Sequence, residues 1–150
     1  MSEAHTNIAR GVRLVDHAEL GFHVRGGPPG AAYVARAIAD EISPNLGIGF
    51  ARWQGAQVSW TTLYEEVIFT IEGCLEVAAD GQTHHVKPGQ VLWIPKSTSL
   101  VYAGFALFGY VVYPGNWKRT LDETCGDERA TRTASPSAAS GCMFSGVRPA

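Results

Sequence analysis

The sequence predicts an all-β protein built as an antiparallel barrel or sandwich. Two observations carry this. Short runs rich in aromatic and β-branched residues repeat along the middle of the chain, and turn signals separate them at close, regular spacing. Asp80-Gly81 is the strongest of these signals, since both positions tolerate the positive φ of a tight hairpin. Tyr64 to Ala78 precedes it and Gln82 to Val86 follows. Pro88-Gly89 leads into Val91 to Ile94, and Pro95 ends that strand because it cannot donate to a ladder. Leu100 to Ala103 and Phe105 to Tyr113 complete the series before Pro114-Gly115.

The totals suit one soluble domain. The chain has 150 residues, of which 45% are hydrophobic and 17% charged, with a net charge of −2. No basic run attracts a nucleic-acid backbone, and no apolar stretch is long enough to span a bilayer. The polar start, MSEAHTNIARGVR, has no signal-peptide core, so a cytoplasmic protein is expected. Cys74, Cys125 and Cys142 are few and scattered, which fits free thiols rather than a disulfide framework or a zinc ribbon. Residues 1–121 are read as the barrel with an N-terminal strand extension. Residues 122–150, rich in Ala, Ser and Thr, read as a flexible tail that buries too little to offset its ordering entropy.

Ala31 to Ile42 is ambiguous. Val34, Ile38 and Ile42 recur at helical spacing, yet Tyr33-Val34 and Arg36-Ala37-Ile38 also alternate as a strand. Periodicity alone favours helix slightly.

Glu66 to Gly73 resembles the first cupin motif, a glutamate followed at fixed spacing by a turn glycine. Lys87-Pro88-Gly89, then Trp93-Ile94-Pro95, resemble the second. More closely, Trp60-Thr61, Tyr64-Glu65-Glu66, Ile94-Pro95-Lys96-Ser97 and Pro114-Gly115-Asn116-Trp117 resemble the cupin domain of the ethanolamine-utilization Q proteins over roughly residues 46–118. The resemblance implies a cupin-type double-stranded β-helix, or jelly-roll, barrel, and with it a strand over Ala31 to Ile42. It also implies a homodimer, for which Tyr33, Val34 and Ile38 offer apolar surface. Metal-dependent cupins hold their ion with histidines near the motif glutamate. Here those positions fall on Trp60 and Thr62, or Ser59 and Thr61, and near Leu100. No metal and no other cofactor is therefore expected.

The implied site is the inner face of the barrel. Tyr64, Glu66, Ile68 and Thr70 share one side of a strand, which the resemblance turns inward. Glu66 and Tyr64 are the candidate catalytic pair. Trp60, Thr62, Ile68, Leu100 and Tyr102 are candidate pocket residues. His84 and His85 face opposite sides, so one of them, taken as His84, joins the pocket. Burial would raise the glutamate's pKa and make it an acid or base. Glu66 as a hydrogen-bonding strut of the barrel is an equally good reading. Trp53, Trp93, Tyr110 and Trp117 read as packing. Gly26-Gly27-Pro28-Pro29-Gly30 lacks the lysine of a phosphate loop, and Lys96-Ser97-Thr98-Ser99 reads as a polar turn.

The resemblance implies binding of a small carboxylate or phosphorylated metabolite, with an acetate kinase-like activity. A metal-independent isomerase, lyase or cyclase using Glu66 is a second reading. A non-catalytic ligand-binding or assembly barrel is a third.

Overall fold

The structure is a computed structural model, and it describes residues 11–119. The predicted tail lies outside the described residues. A short 3-10 turn, His17–Glu19, precedes eight strands: β1 His23–Gly26, β2 Ala31–Ile38, β3 Gly47–Gln54, β4 Val58–Thr61, β5 Glu65–Ala79, β6 Gln82–Val86, β7 Val91–Ile94 and β8 Ser99–Tyr113. Every pairing between named strands is antiparallel, and the principal order is β1-β2-β3-β8-β5-β6.

Two long strands organise the barrel. β5 and β8 pair over nearly their whole lengths. Their outer edges are each shared by two short strands. The first half of β8 pairs with β4 and the second with β3. The first half of β5 pairs with β7 and the second with β6. One pair of strands thus feeds both sheets, which is how a jelly roll closes.

Both long strands change direction near the same crossing. The register of β5 against β8 shifts between Thr70 and Glu72. Gly73 has φ +78, and a Cβ there would run into the Phe105 carbonyl. Gly104 has φ +93 in the middle of β8. Leu100–Ala103 and Phe105–Tyr113, expected as two strands, are therefore one bent strand. At Asp80-Gly81, φ values of 51 and 75 fit the predicted hairpin.

Ala31–Ile38 is a strand, with no helix. Two of its alanines, Ala32 and Ala35, are buried. The core runs through Ala51, Ile68, Leu75, Val77, Leu100 and Phe108 between the two sheets. No helix among the described residues is long and apolar enough to cross a membrane.

Candidate functional site

A cavity of about 420 Å³ opens between the sheets. Glu66 lies in it because β5 alternates: Glu66, Ile68 and Thr70 turn inward, while Glu65 and Phe69 turn out. Glu66 is only 5% exposed. Tyr102, from β8, donates a hydrogen bond of 2.6 Å to its Oε2. Burial raises the Glu66 pKa to about 7, and the tyrosine bond opposes the rise. Burial, and then the Glu66 charge, also push the Tyr64 and Tyr102 hydroxyls upward. Tyr110 is raised mainly by burial. The site thus offers a carboxyl able to give or take a proton near neutrality, beside hydroxyls that stay protonated.

Aromatic rings wall the cavity. Trp53 packs on Phe108 with centroids 5.5 Å apart and on Tyr102 at 5.8 Å. Nearer the mouth, Tyr64 meets Trp117 at 5.1 Å and Trp60 meets Trp117 at 6.2 Å. The indole N–H groups of Trp53 and Trp60 are buried and find no acceptor among the described residues. The Trp60 N–H lies near enough to Tyr64 to lower its pKa slightly, without the geometry of a hydrogen bond.

Cations gather at the rim. Arg25, Arg36 and Lys118 line the cavity from β1, from β2 and from the turn after β8. The Arg25 guanidinium stands 5.0 Å from the Trp60 ring, and the Lys118 ammonium 5.3 Å from Trp117. Lys118 is pushed below its usual pKa by partial burial, then by the Arg36 and Arg25 charges. Asp40, also on the rim, lies 3.9 Å from Arg119. The turn carrying Trp117 and Lys118 is tied down by the Gly115 N–H, which donates to the Asn45 carbonyl at 2.8 Å.

Trp60, Tyr64, Glu66 and Tyr102 come together around this cavity, as the sequence suggests. Four other expected residues do not join them. Thr62 is fully buried but serves the loops: its hydroxyl donates to the Pro95 carbonyl at 2.9 Å and accepts from the Thr98 N–H at 3.0 Å. The strand is interrupted after Thr61, so the alternation that aims Trp60 inward does not carry on to Thr62. Ile68 and Leu100 are core. His84 is exposed on the edge strand β6, as is His85, which lies 3.9 Å from Glu76. Among the packing residues, Trp53, Tyr110 and Trp117 in fact line the cavity. Trp93 is 58% exposed, because its β7 position pairs with the outward Val67.

Arg25, Arg36 and Lys118 are the residues that sequence reasoning missed. Arg36 carried a signal: it interrupts the period-two apolar face Val34, Arg36, Ile38, all of which line the cavity. Arg25 and Lys118 carried none, since their places depend on how β1 and the last turn pack.

The metal positions of related barrels fall on Trp60 and Thr62, or Ser59 and Thr61, and near Leu100. Among the described residues no three His, Cys, Asp or Glu side chains come together as a metal site. These residues do not fit a transition-metal centre.

A family model described as ethanolamine utilisation protein EutQ matches residues 10–119. The chain belongs to the EutQ family. A curated EutQ relative from Escherichia coli K12, named acetate kinase EutQ, is 30% identical over 111 residues, which are 72% of this chain and 48% of that protein. The chain thus spans about half the length of that relative. The solved EutQ protein of Clostridium difficile superposes with a TM-score of 0.57 at 30% identity, covering 61% of this chain and 68% of the other. A cupin-like protein of Thermotoga maritima superposes with a TM-score of 0.55 at 14% identity, covering 71% of this chain and 84% of that one, a likeness of fold alone. The barrel is a cupin jelly roll of the EutQ kind.

Proposed function

We propose that this chain is an ethanolamine-utilization cupin whose barrel cavity binds a small organic anion, a carboxylate or phosphorylated metabolite, with Glu66 as the acid or base of the site. One observation carries the reading: Arg25, Arg36 and Lys118 converge on the rim of the cavity that holds the Glu66 carboxyl. Like charges brought together favour an anion among them, and the Arg36 and Arg25 charges add to the burial that lowers the Lys118 pKa. Below the rim, Glu66 near pKa 7 can pass a proton either way, and Tyr102 holds its carboxyl in one orientation.

The relatives' name, acetate kinase, makes acetate and acetyl phosphate the first ligands to test. Rim cations suit the charge that develops in phosphoryl transfer. Titrating the full chain with acetate, acetyl phosphate and inorganic phosphate, by calorimetry at low salt, tests the reading. Saturable binding that Arg25→Ala weakens is the expected result, and heats no different from buffer would overturn it.

A non-catalytic ligand-binding role is favoured by the aromatic packing that narrows the cavity. It predicts the same binding with no turnover of acetyl phosphate in the presence of a nucleoside diphosphate and magnesium. The chain works in the cytoplasm on this reading, in keeping with its sparse cysteines. It also works as a homodimer. Val34 and Ile38, expected to need a partner, line the cavity instead, and Phe69, Val91, Trp93 and Phe105 are the exposed apolar residues that pairing would cover.

A further inference from the structure

The dimensions and walls of the cavity bear on what kind of anion it takes. Cavities of about 300–1,000 Å³ are the size that encloses ligands much larger than a two-carbon acid. At about 420 Å³ this one would leave an acetate ion surrounded mostly by water. Its walls carry the Glu66 carboxyl and tyrosine hydroxyls but are mainly aromatic and aliphatic. Trp53 and Phe108 stand together within the barrel, and Tyr64, Trp60 and Trp117 continue the aromatic surface toward the mouth. The cations are fixed to the same rings: Arg25 lies over Trp60 and Lys118 over Trp117. Charge and aromatic surface are thus presented side by side, from different elements.

We propose that the ligand is a ring-bearing organic acid, its carboxylate held among Arg25, Arg36 and Lys118 and its ring laid against Trp60, Tyr64 and Trp117. This rests on reading the cavity as an anion site and adds the body of the anion to it. A flat ring removes apolar area from water on both the ligand and the wall, and offset or edge-on contacts with Trp and Tyr add to that gain. Aromatic walls near a carboxyl also suit an organic ammonium ion. The rim decides against it, because such a ligand would have to pass and then sit beside three like charges.

The experiment is isothermal calorimetry of the full chain, at pH 6.5 and low salt, with benzoate, acetate, inorganic phosphate, benzyl alcohol and benzylamine. Benzoate is expected to bind at least about tenfold more tightly than acetate, from the burial of the ring, and more tightly than benzyl alcohol. Trp117→Ala is expected to bring the benzoate-to-acetate affinity ratio close to one. If acetate and phosphate bind and benzoate gains nothing, the ring assignment is overturned while the anion reading stands. If no anion binds, or benzyl alcohol equals benzoate, the anion reading fails and this inference with it. Benzylamine as the tightest ligand would overturn both. The ligand series uses the unaltered chain, so its outcome does not depend on a variant folding.

Discussion

The Tyr102 hydroxyl and the Glu66 carboxyl meet at 2.6 Å across the barrel, one from β8 and one from β5. In the β5-β8 register Glu66 partners Val112 and Tyr102 partners Val77, so the contact is made not along the ladder but between the two sheets, which face each other because both strands bend. A carboxyl so buried, with one hydroxyl donor and no cation bonded to it, favours its neutral form, which is why its pKa stands near 7.

Stability should depend on pH through this residue. Its folded pKa of about 7 lies above the ordinary value of 4.5. Between those values the folded chain holds a proton that the unfolded chain has lost. The contribution is therefore full below pH 4.5 and declines as pH rises toward 7, by about 3 kcal/mol at 1.4 kcal/mol per pH unit. Glu66→Gln cannot titrate. Urea unfolding from pH 4.5 to 8 should show wild-type stability falling relative to the variant, and parallel curves would count against a raised pKa. The same variant should lose any acid–base activity of the site while melting at or above the wild type at pH 8.

Tyr102→Phe keeps the ring and removes the donor to Glu66. The tyrosine bond lowers the glutamate's pKa, so its loss should move the titration above 7. The variant should be destabilised by about 1–3 kcal/mol at pH 8, where the carboxylate is left without its donor. It should be destabilised less at pH 5. A cost independent of pH would mean that Tyr102 matters through packing alone.

Gly73→Ala tests the backbone beneath the site. The residue sits at φ +78 against the Phe105 carbonyl, so an added methyl meets main chain that cannot swing aside. Destabilisation beyond about 1 kcal/mol is expected from chemical unfolding. A neutral effect would show that the long strands do not need this glycine to bend.

The architecture was legible because turns are local chemistry. Asp80-Gly81 and the motif glycine Gly73 declare themselves by residue type, and the alternation about Glu66 shows which side chains share a face. The site was legible only in part. Alternation holds within an unbroken strand, and the break between β4 and β5 turned Thr62 away from the pocket that Trp60 lines. Gly104 reads as a terminator by type, yet here it bends a strand that continues. Trp93 shows a further limit: an aromatic residue in a strand marks an apolar position, not whether it faces the core or the outside.

The surface proposed to pair with a second copy is the outer face of the β7-β5-β8 sheet, where Trp93 lies. Val67 pairs with Trp93 and Phe69 with Val91, and Trp93 and Val91 are 58% and 69% exposed. Light scattering at micromolar concentration should give the mass of a dimer, and Trp93→Arg should give a monomer with an unchanged circular dichroism spectrum. A wild-type monomer would remove the pairing argument. A dimer unaffected by the substitution would move the interface elsewhere.

Arg36 should show function and stability pulling in opposite directions. It is an exposed arginine at the cavity rim, and its charge helps push Lys118 below the usual lysine range. Arg36→Ala removes that repulsion, so the melting temperature should hold or rise, with a change in stability of no more than about 0.5 kcal/mol. The Lys118 pKa should move back up, and reductive methylation followed by NMR titration would report it. Anion affinity should fall roughly ten- to a hundredfold, because a charge-assisted hydrogen bond is worth about 1.5–3 kcal/mol. The loss should shrink as salt is added, since the rim is open to solvent. If Arg36 were instead a strut of β2, the variant would melt lower and its remaining folded fraction would bind normally. Measuring melting temperature and affinity on one sample separates the two: affinity lost with stability kept assigns Arg36 to the ligand, and stability lost with affinity kept assigns it to the barrel.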